Sequence, residues 1–120
     1  MLPKTNRLFS DYDFRQVRRR GRQFGSPFFS LYTFSQPVPG ASRFGFVVSA
    51  KIDKRATERN RIKRIFRDEV ARLLPAIGPG FSSAFWVRGA ALGAPPGKVR
   101  ASIREALQKA GILEKQVASS

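Results

Sequence analysis

Residues 56–74, ATERNRIKRIFRDEVARLL, constrain the fold of this chain more than any other stretch. Apolar side chains recur there with the three-and-four spacing of one helix face, and a proline follows directly. One charged residue, Glu69, interrupts an apolar stripe made of Ile62, Ile65, Phe66, Val70, Leu73 and Leu74. Such a stripe needs a partner surface to bury it. The pattern therefore predicts a helix that begins near Ala56 or Thr57, ends before Pro75 and packs on a core.

A group of cations lies beside that stripe. At about 100° per residue, one flank of the helix carries two adjoining ridges, made of Arg59, Lys63 and Arg67, then Asn60 and Arg64. Arg61 is expected to point elsewhere, near Glu58 and Asp68. Like charges at this spacing destabilise a helix mildly, and here no alternating acids balance them. We therefore expect an external polyanion to neutralise the flank.

The overall charge indicates which polyanion. The 120 residues carry 23 Lys and Arg against 8 Asp and Glu, a net charge of +15, and Arg outnumbers Lys by sixteen to seven. Because guanidinium groups pair with phosphate and stack on bases, this excess favours nucleic acid over a generic acidic partner. The sequence has no apolar run near 18 residues and no basic amphipathic helix with exposed Trp or Leu, so no membrane partner is expected.

The absence of cysteine and histidine narrows the chemistry. Disulfides and Cys-ligated zinc are excluded, and no imidazole is present to act as an acid or base near neutral pH. We expect a protein that binds rather than catalyses, with no catalytic residue and no metal or cofactor of its own. The N-terminal residues lack the apolar segment of a signal peptide, and the expected location is the cytoplasm.

The N-terminal part predicts a helix. Ser10 is a candidate N-cap for a helix over 11–20, and Gly21 is placed to end it. Phe9 and Phe14 have the spacing of a hydrophobic staple.

Three strand patterns and a last helix complete the prediction. The strands cover about 23–34, 43–49 and 81–89. The first two are joined by a short polar loop, which suggests an antiparallel hairpin. The last helix is expected over about 98–110, with glycine at its C′ position. We predict one α+β domain over 1–120, a two-layer sandwich with a roughly four-stranded mixed sheet, three helices and frayed ends near 1–6 and 114–120.

The first strand pattern also raises a functional question about its aromatic rings. Alternation puts on one face Phe24, Phe28, Tyr32 and Phe34. Each is a candidate core residue, yet aromatic side chains in a positive groove also hold single-stranded RNA. The arginines of RRRGRQF would edge such a groove. Both readings stay open, with Phe14, Phe28 and Tyr32 as candidate nucleotide contacts.

Residues 59–68, RNRIKRIFRD, preceded by FGFVVSAKIDKRAT, resemble the signature of the protein subunit of bacterial ribonuclease P. In that family a strand of the type F-G-x-x-V-S-K-K leads into A-x-x-R-N-R-x-K-R-x-x-R-E, and Ser49 and Lys51 keep the strand end here. The opening, LPKTNRLFSDYDFRQVRRRGRQFGSPFFSLYTF, and the finish, GILEKQ, are also similar to the family. The resemblance extends over nearly the whole chain.

Four positions depart from the family pattern. Ala50 stands where a lysine of S-K-K is expected, so that contact is lost or moves to Lys51 and Lys54. Asp53 stands where glycine or a small residue is common, and Asp68 replaces the frequent glutamate. Arg18 stands where an aromatic residue often follows the DF helix, which weakens the expected stacking on that wall of the cleft.

The resemblance implies that RNA performs the catalysis. In this family the RNA subunit cleaves precursor tRNA with its own metal ions, so magnesium is expected in the RNA partner. The similar proteins have an α+β sandwich with a left-handed βαβ crossover, against the usual right-handed preference. The protein would raise affinity for precursor over mature tRNA by gripping the 5′ leader, and would favour metal binding in the RNA.

The family's contacts, carried over to matching positions, divide into three sets. Contacts to the RNA subunit would be Arg59, Asn60, Arg61, Lys63, Arg64 and Arg67. The leader-binding cleft would be lined by Phe14, Phe28, Tyr32 and Lys51. Further basic contacts would come from Arg18, Arg19, Arg22 and Lys54. The expected partners are the catalytic RNA subunit and the 5′ leader of precursor tRNA, with the protein a monomer in the particle.

Two other readings of the residues stay open. A structural RNA-binding module, such as a ribosomal protein or an RNA chaperone, would share the charge and the fold class but would not depend on a leader. A DNA-binding helix is the least favoured, because this helix has a core-facing stripe and no evident second helix or dimer seam to set half-sites.

Overall fold

The central strands of the sheet include the last strand in the chain. In this computed structural model, which describes residues 2–8, 10–36 and 40–113, β1 (Arg22–Gly25) pairs antiparallel with β2 (Phe29–Ser35). The other side of β2 pairs antiparallel with β4 (Phe81–Val87). The remaining strand, β3 (Arg43–Val47), pairs parallel with β4. The order β1-β2-β4-β3 gives the mixed four-stranded sheet that the sequence predicts.

Helices occupy the segments between and beside these strands. They are α1 (Asp11–Arg20), α2 (Ala56–Leu73), the short α3 (Ala90–Gly93) and α4 (Pro96–Lys109). The α+β class and the three long helices are confirmed. Because α2 joins the parallel strands β3 and β4, the chain contains a βαβ unit, whose hand stays a prediction. Within the described ranges, no helix is both long and apolar enough to cross a membrane.

The predicted hairpin between the first two strand patterns is wrong. The 23–34 pattern is itself a hairpin, because the Ser26 amide donates to Phe29 O (2.9 Å) and the Ser26 hydroxyl accepts from the Phe28 amide (2.9 Å). Pro27, inside this turn, has no N–H with which to continue a strand. Strand β4 lies between β2 and β3 because it pairs with both, and strands that are adjacent in sequence need not be neighbours in a sheet.

Helices α2 and α4 cover one face of the sheet. The ring of Phe66 on α2 makes edge-to-face contacts with Phe29 at 5.7 Å and Phe85 at 5.6 Å between centroids. The expected stripe is confirmed, since at most 1% of the surface remains exposed for Ile62, Phe66, Val70 and Leu73. Burying each such side chain contributes about 1.5–3 kcal/mol, which ties the helix firmly to the sheet.

The charged member of the stripe has a partner. Glu69 is buried, and its carboxylate accepts hydrogen bonds from Arg72 Nε at 3.1 Å and Nη2 at 2.6 Å. These hydrogen bonds, reinforced by the charge of Glu69, raise the pKa of the Arg72 guanidinium. The pair satisfies the carboxylate where the stripe meets solvent, so the stripe can include an acid without leaving it unpaired.

Helix α1 packs on the opposite face, which the two-layer prediction left out. Its inward residue Val17 is fully buried and clusters with Leu8 and Ala84. Both faces of β2 carry apolar side chains, so each needs a covering element. The helix begins and ends as predicted: the Ser10 hydroxyl accepts from the Asp13 amide at 3.1 Å, and the Gly21 amide donates to Val17 O at 2.8 Å. The staple involving Phe9 lies outside the described residues.

The two ends of the described chain are well anchored. Leu2 is fully buried and Lys4–Asn6 forms a 3₁₀ turn, so residues 2–6 differ from the predicted frayed end. The last helix starts at Pro96, two residues earlier than expected, because proline suits the first helical turn. Gly111 has the positive φ of +78° that its predicted C′ role requires. Residue 1 and the predicted frayed end at 114–120 lie outside the described ranges.

Gly45 in β3 lets α1 approach the sheet closely. A methyl group built on Gly45 would overlap the ring of Phe14, which lies directly over the strand. Gly25, in β1, has open space at the same position.

We expect Gly45→Ala to destabilise the fold by about 1–3 kcal/mol, because either Phe14 or the strand must move. Gly25→Ala is the matched control, with an expected change within about 0.5 kcal/mol. Urea unfolding, followed by the fluorescence of Trp86, measures both. Equal stabilities of the two variants would contradict the close packing of Phe14 on β3.

Candidate nucleic-acid interface

The outer flank of α2 carries side-chain hydrogen-bond donors that have no partner among the described residues. Among the hydrogen bonds and ion pairs between described residues, none involves the side chain of Asn60, Lys63, Arg64 or Arg67. Arg64 and Asn60 are exposed, and Lys63 and Arg67 are half-buried. Three cations and an amide therefore form a continuous, unneutralised surface, which we call the α2 flank.

Two arginines of the R-N-R signature have partners within the protein. Arg59 Nη1 donates to the backbone oxygens of Asp53 and Lys54, both at 2.9 Å. Arg61 turns away from the flank, as predicted: its Nε lies 3.2 Å from Glu58 Oε2, and its Nη2 donates to Leu92 O in α3 at 3.4 Å. Arg59 thus holds the loop before α2 at the base of the flank, while Arg61 lies on the other side of the helix.

The loop before α2 is ordered by an acid–base pair. The Asp53 carboxylate accepts from the Arg55 amide at 2.8 Å and from Arg55 Nε and Nη2 at 3.1 and 2.8 Å. The side-chain hydrogen bond from Arg55, followed by the backbone one, lowers the pKa of Asp53 from 3.8 to about 2. The acid that replaces the family's small residue is therefore part of the entry to α2.

A cluster of three aromatic rings lies on the α1 face of the sheet. Trp86 makes edge-to-face contacts with Phe14 at 6.2 Å and with Tyr32 at 5.4 Å between ring centroids. The guanidinium of Arg18 lies over two of these rings, 5.5 Å from the centroid of Tyr32 and 5.2 Å from that of Trp86. We call this group the aromatic face. Its rings are half-buried rather than sealed in the core, so a base or a phosphate can approach them.

The structure does not bring all predicted leader contacts together. Phe28 contacts the core cluster and is not among the residues that pack with Phe14 and Trp86. Phe24 pairs with Leu31 across the hairpin and packs against the same core, so the predicted sharing of one face with Tyr32 is wrong for Phe24. The reason is the turn at Ser26 and Pro27, which resets the alternation between β1 and β2. Phe34, by contrast, lies on the α1 side as expected.

The remaining predicted basic contacts are distributed around the aromatic face and the α2 flank. Arg19 is exposed on α1, and Arg22 lies 5.2 Å over the ring of Phe24. Lys51 and Lys54 are exposed in the loop that leaves β3, at the sheet edge where β4 also ends. The roles of all these residues stay predictions.

Sequence reasoning missed Trp86. It lies in the third strand pattern, FSSAFWV, whose alternation predicts a strand and no functional role. Period-2 alternation puts Ala84 and Trp86 on the face opposite Phe85. A tryptophan that shares a strand face with a small residue is therefore the signal in the sequence. Within the described ranges, no group of three or more His, Cys, Asp or Glu side chains lies close enough together to hold a metal ion.

The family model and the similar sequences all indicate the same protein family. Residues 2–111 match the family model described as Ribonuclease P. The chain is 31% identical to the ribonuclease P protein component of Microcystis aeruginosa, over 93% of this chain and 96% of the relative. It is 38% identical to the corresponding protein of Rippkaea orientalis, over 73% and 72% of the two chains.

Solved structures show the same fold. The RNase P protein of Staphylococcus aureus superposes with a TM-score of 0.82 at 23% identity, over 92% of this chain and all of that chain. The RNase P protein of Thermotoga maritima superposes with a TM-score of 0.70 at 26% identity, over 86% and 92% of the two chains. The four-stranded α+β arrangement is therefore shared with these proteins.

We expect Arg59→Ala to lower the stability of the free protein by about 1 kcal/mol, because it removes two hydrogen bonds that hold the loop before α2. Arg64→Ala removes the same charge from a side chain without such bonds and should leave stability unchanged. Thermal unfolding without RNA measures the difference. A loss of stability in Arg64→Ala as large as that in Arg59→Ala would contradict these separate roles.

Arg55→Ala should raise the pKa of Asp53 from about 2 toward 3.8, because the hydrogen bonds from its side chain are lost. Since the folded pKa is depressed, the favourable contribution of Asp53 is fully present above about pH 3.8 and is lost as the pH falls through about 2. An NMR titration of the Asp53 carboxyl carbon measures the shift, with Arg100→Ala as the distant charge control. An unchanged Asp53 titration in Arg55→Ala would contradict the pairing.

Proposed function

This chain belongs to the ribonuclease P protein family, and we propose that it serves in tRNA 5′ maturation by binding both the catalytic RNA subunit and the 5′ leader of precursor tRNA. The observation that carries this proposal is the pairing of two unlike surfaces. The α2 flank offers unpaired cations, and the aromatic face offers rings beneath an arginine. The α2 flank suits a folded RNA, and the aromatic face suits a single strand.

The α2 flank supports docking on the RNA subunit. Its side chains have no acidic partner within the described part of the protein, so RNA phosphates can replace water around them and release bound counterions. Asn60, set among these cations, can hydrogen-bond a base edge or a 2′-hydroxyl. Arg59 contributes through the loop that it holds, and its remaining donors stay available at the base of the flank.

The aromatic face supports binding of the leader. Unstacked bases gain about 1–3 kcal/mol each by stacking on aromatic side chains in positive grooves. Phe14, Tyr32 and Trp86 supply the rings, and Arg18 supplies a cation that already lies over two of them. Arg18 thus takes the place of the aromatic residue that is frequent in the family, because a planar guanidinium also stacks on bases.

The chemistry of cleavage is assigned to the RNA partner. The protein has no histidine or cysteine to act as base, nucleophile or soft metal ligand. We propose that the RNA partner would hold the magnesium ions that supply the chemistry of cleavage, and that the cationic surfaces of the protein would reduce phosphate repulsion around them. The protein acts as one copy in the particle, in the cytoplasm.

Reconstitution with a bacterial ribonuclease P RNA tests the proposal. The protein should lower the magnesium concentration needed to cleave precursor tRNA, and the particle should bind precursor more tightly than mature tRNA. Arg64→Ala should flatten the slope of log affinity against log salt by about one, because one phosphate contact is lost. Arg104→Ala, on α4, is the matched control and should keep the slope. Equal binding of precursor and mature tRNA would favour a structural RNA-binding module instead.

A further inference from the structure

A separate cleft lies along the other flank of α1. It has a volume of about 590 Å3, and its lining includes Tyr12, Gln16, Arg20, Phe34, Gln36 and Arg43. No residue of the aromatic face lines it. Helical spacing explains the separation, because Phe14 and Arg18 project from one flank of α1 while Tyr12, Gln16 and Arg20 project from the other.

An exposed aromatic ring marks the lip of this cleft. Tyr12 is 61% exposed, and it is the single large hydrophobic side chain left exposed among residues 2–8, 10–36 and 40–113. Two apolar side chains lie deeper in the same cleft: Phe34 is half-buried and Leu8 is buried. A planar ligand that enters the cleft can therefore meet one ring at the lip and another inside.

The polar groups of the cleft are held in place. Gln36 Oε1 accepts hydrogen bonds from the Ser82 hydroxyl at 3.0 Å and from Arg43 Nε at 3.3 Å. Arg43 Nη1 also lies 3.8 Å from Asp13 Oδ2. Because the Gln36 oxygen is occupied, its amide NH₂ is left as a fixed donor with no partner among the described residues. Such a donor complements the carbonyl oxygens and ring nitrogens of a nucleobase.

We propose that this cleft binds a nucleotide of single-stranded RNA, with its base against Tyr12 and Phe34 and its phosphate beside Arg20. Arg20 is exposed and takes part in none of the ion pairs among the described residues, so it is available to a phosphate. The net charge of +15 favours a polyanion over an apolar peptide as the occupant.

The topology places this cleft farther along the leader than the aromatic face, an assignment that depends on the proposed function. The first half of α2, which carries the α2 flank, follows the end of β3 near Trp86. Ser82 and Phe34 lie toward the opposite end of the paired strands. Trp86 and Ser82 are four residues apart on β4, which corresponds to about 13 Å. A leader that passes the aromatic face first would reach the cleft with later nucleotides.

The test compares precursor tRNAs with leaders of increasing length, bound to the reconstituted particle. For the wild-type protein, the affinity for precursor tRNA should increase in two steps as the leader lengthens. The first step corresponds to nucleotides at the aromatic face and the second to nucleotides at the cleft. Tyr12→Ala should reduce affinity for the long-leader precursor about fivefold or more and spare the short-leader precursor. Tyr12→Phe should retain the second step, because the ring is kept.

A matched pair of charge substitutions completes the test. Arg20→Gln should weaken long-leader binding, whereas Arg104→Gln on α4, which packs on the opposite face of the sheet, should not. A leader carrying 4-thiouridine at the later positions should also crosslink to the peptide that contains Tyr12. The inference is overturned if Tyr12→Ala leaves the second step intact, or if it changes the oligomeric state of the protein instead of leader binding. The proposed function fails separately, if the wild-type particle shows no preference for any leader.

Discussion

The position of the α2 flank depends on the burial of the apolar face of the helix against the sheet. Its cations repel one another, at a cost of a few tenths of a kcal/mol for each close pair. Phe66 and its neighbours offset that repulsion, because each buried side chain contributes about 1.5–3 kcal/mol. The aromatic contacts of Phe66 with Phe29 and Phe85 also fix the rotation of the helix. The α2 flank is therefore held in place by the core and not by its own charge pairs.

The sheet separates two kinds of surface that are proposed to bind RNA. Strand β4 directs Phe85 toward α2 and α4, and Ala84 and Trp86 toward α1. On the α1 side, small residues create room: Ala84 in β4 and Gly45 in β3 let the helix and its Phe14 ring lie close to the strands. The helix then acts as a ridge, with the aromatic face along one flank and the cleft beside Tyr12 along the other. One short helix thus borders both proposed leader-binding sites.

The arginines of α2 are clustered in the sequence, but they have different partners in the structure. Arg59 donates to backbone oxygens, Arg61 pairs with Glu58, and Arg64 has no partner among the described residues. Substituting each of them would remove one charge, yet the physical consequences differ. The loss at Arg59 is of hydrogen bonds to the loop, at Arg61 of a local ion pair, and at Arg64 of an unpaired cation that is proposed to meet phosphate. Loss of RNA binding after a substitution at Arg59 would therefore combine a contact effect with a structural one.

The sequence by itself determined the boundaries of α1 and α2, the core-facing stripe of α2 and the family, because these follow from local spacing and from a long, specific motif. It also determined that Arg61 leaves the α2 flank. Only the tertiary structure decided that β4 separates β2 from β3, that Phe24 faces the other side of the sheet from Tyr32, and that Trp86 joins Phe14. Strand order depends on contacts between residues far apart in the chain, and a single turn at Pro27 is enough to reverse which face a side chain occupies. Local periodicity contains neither kind of information.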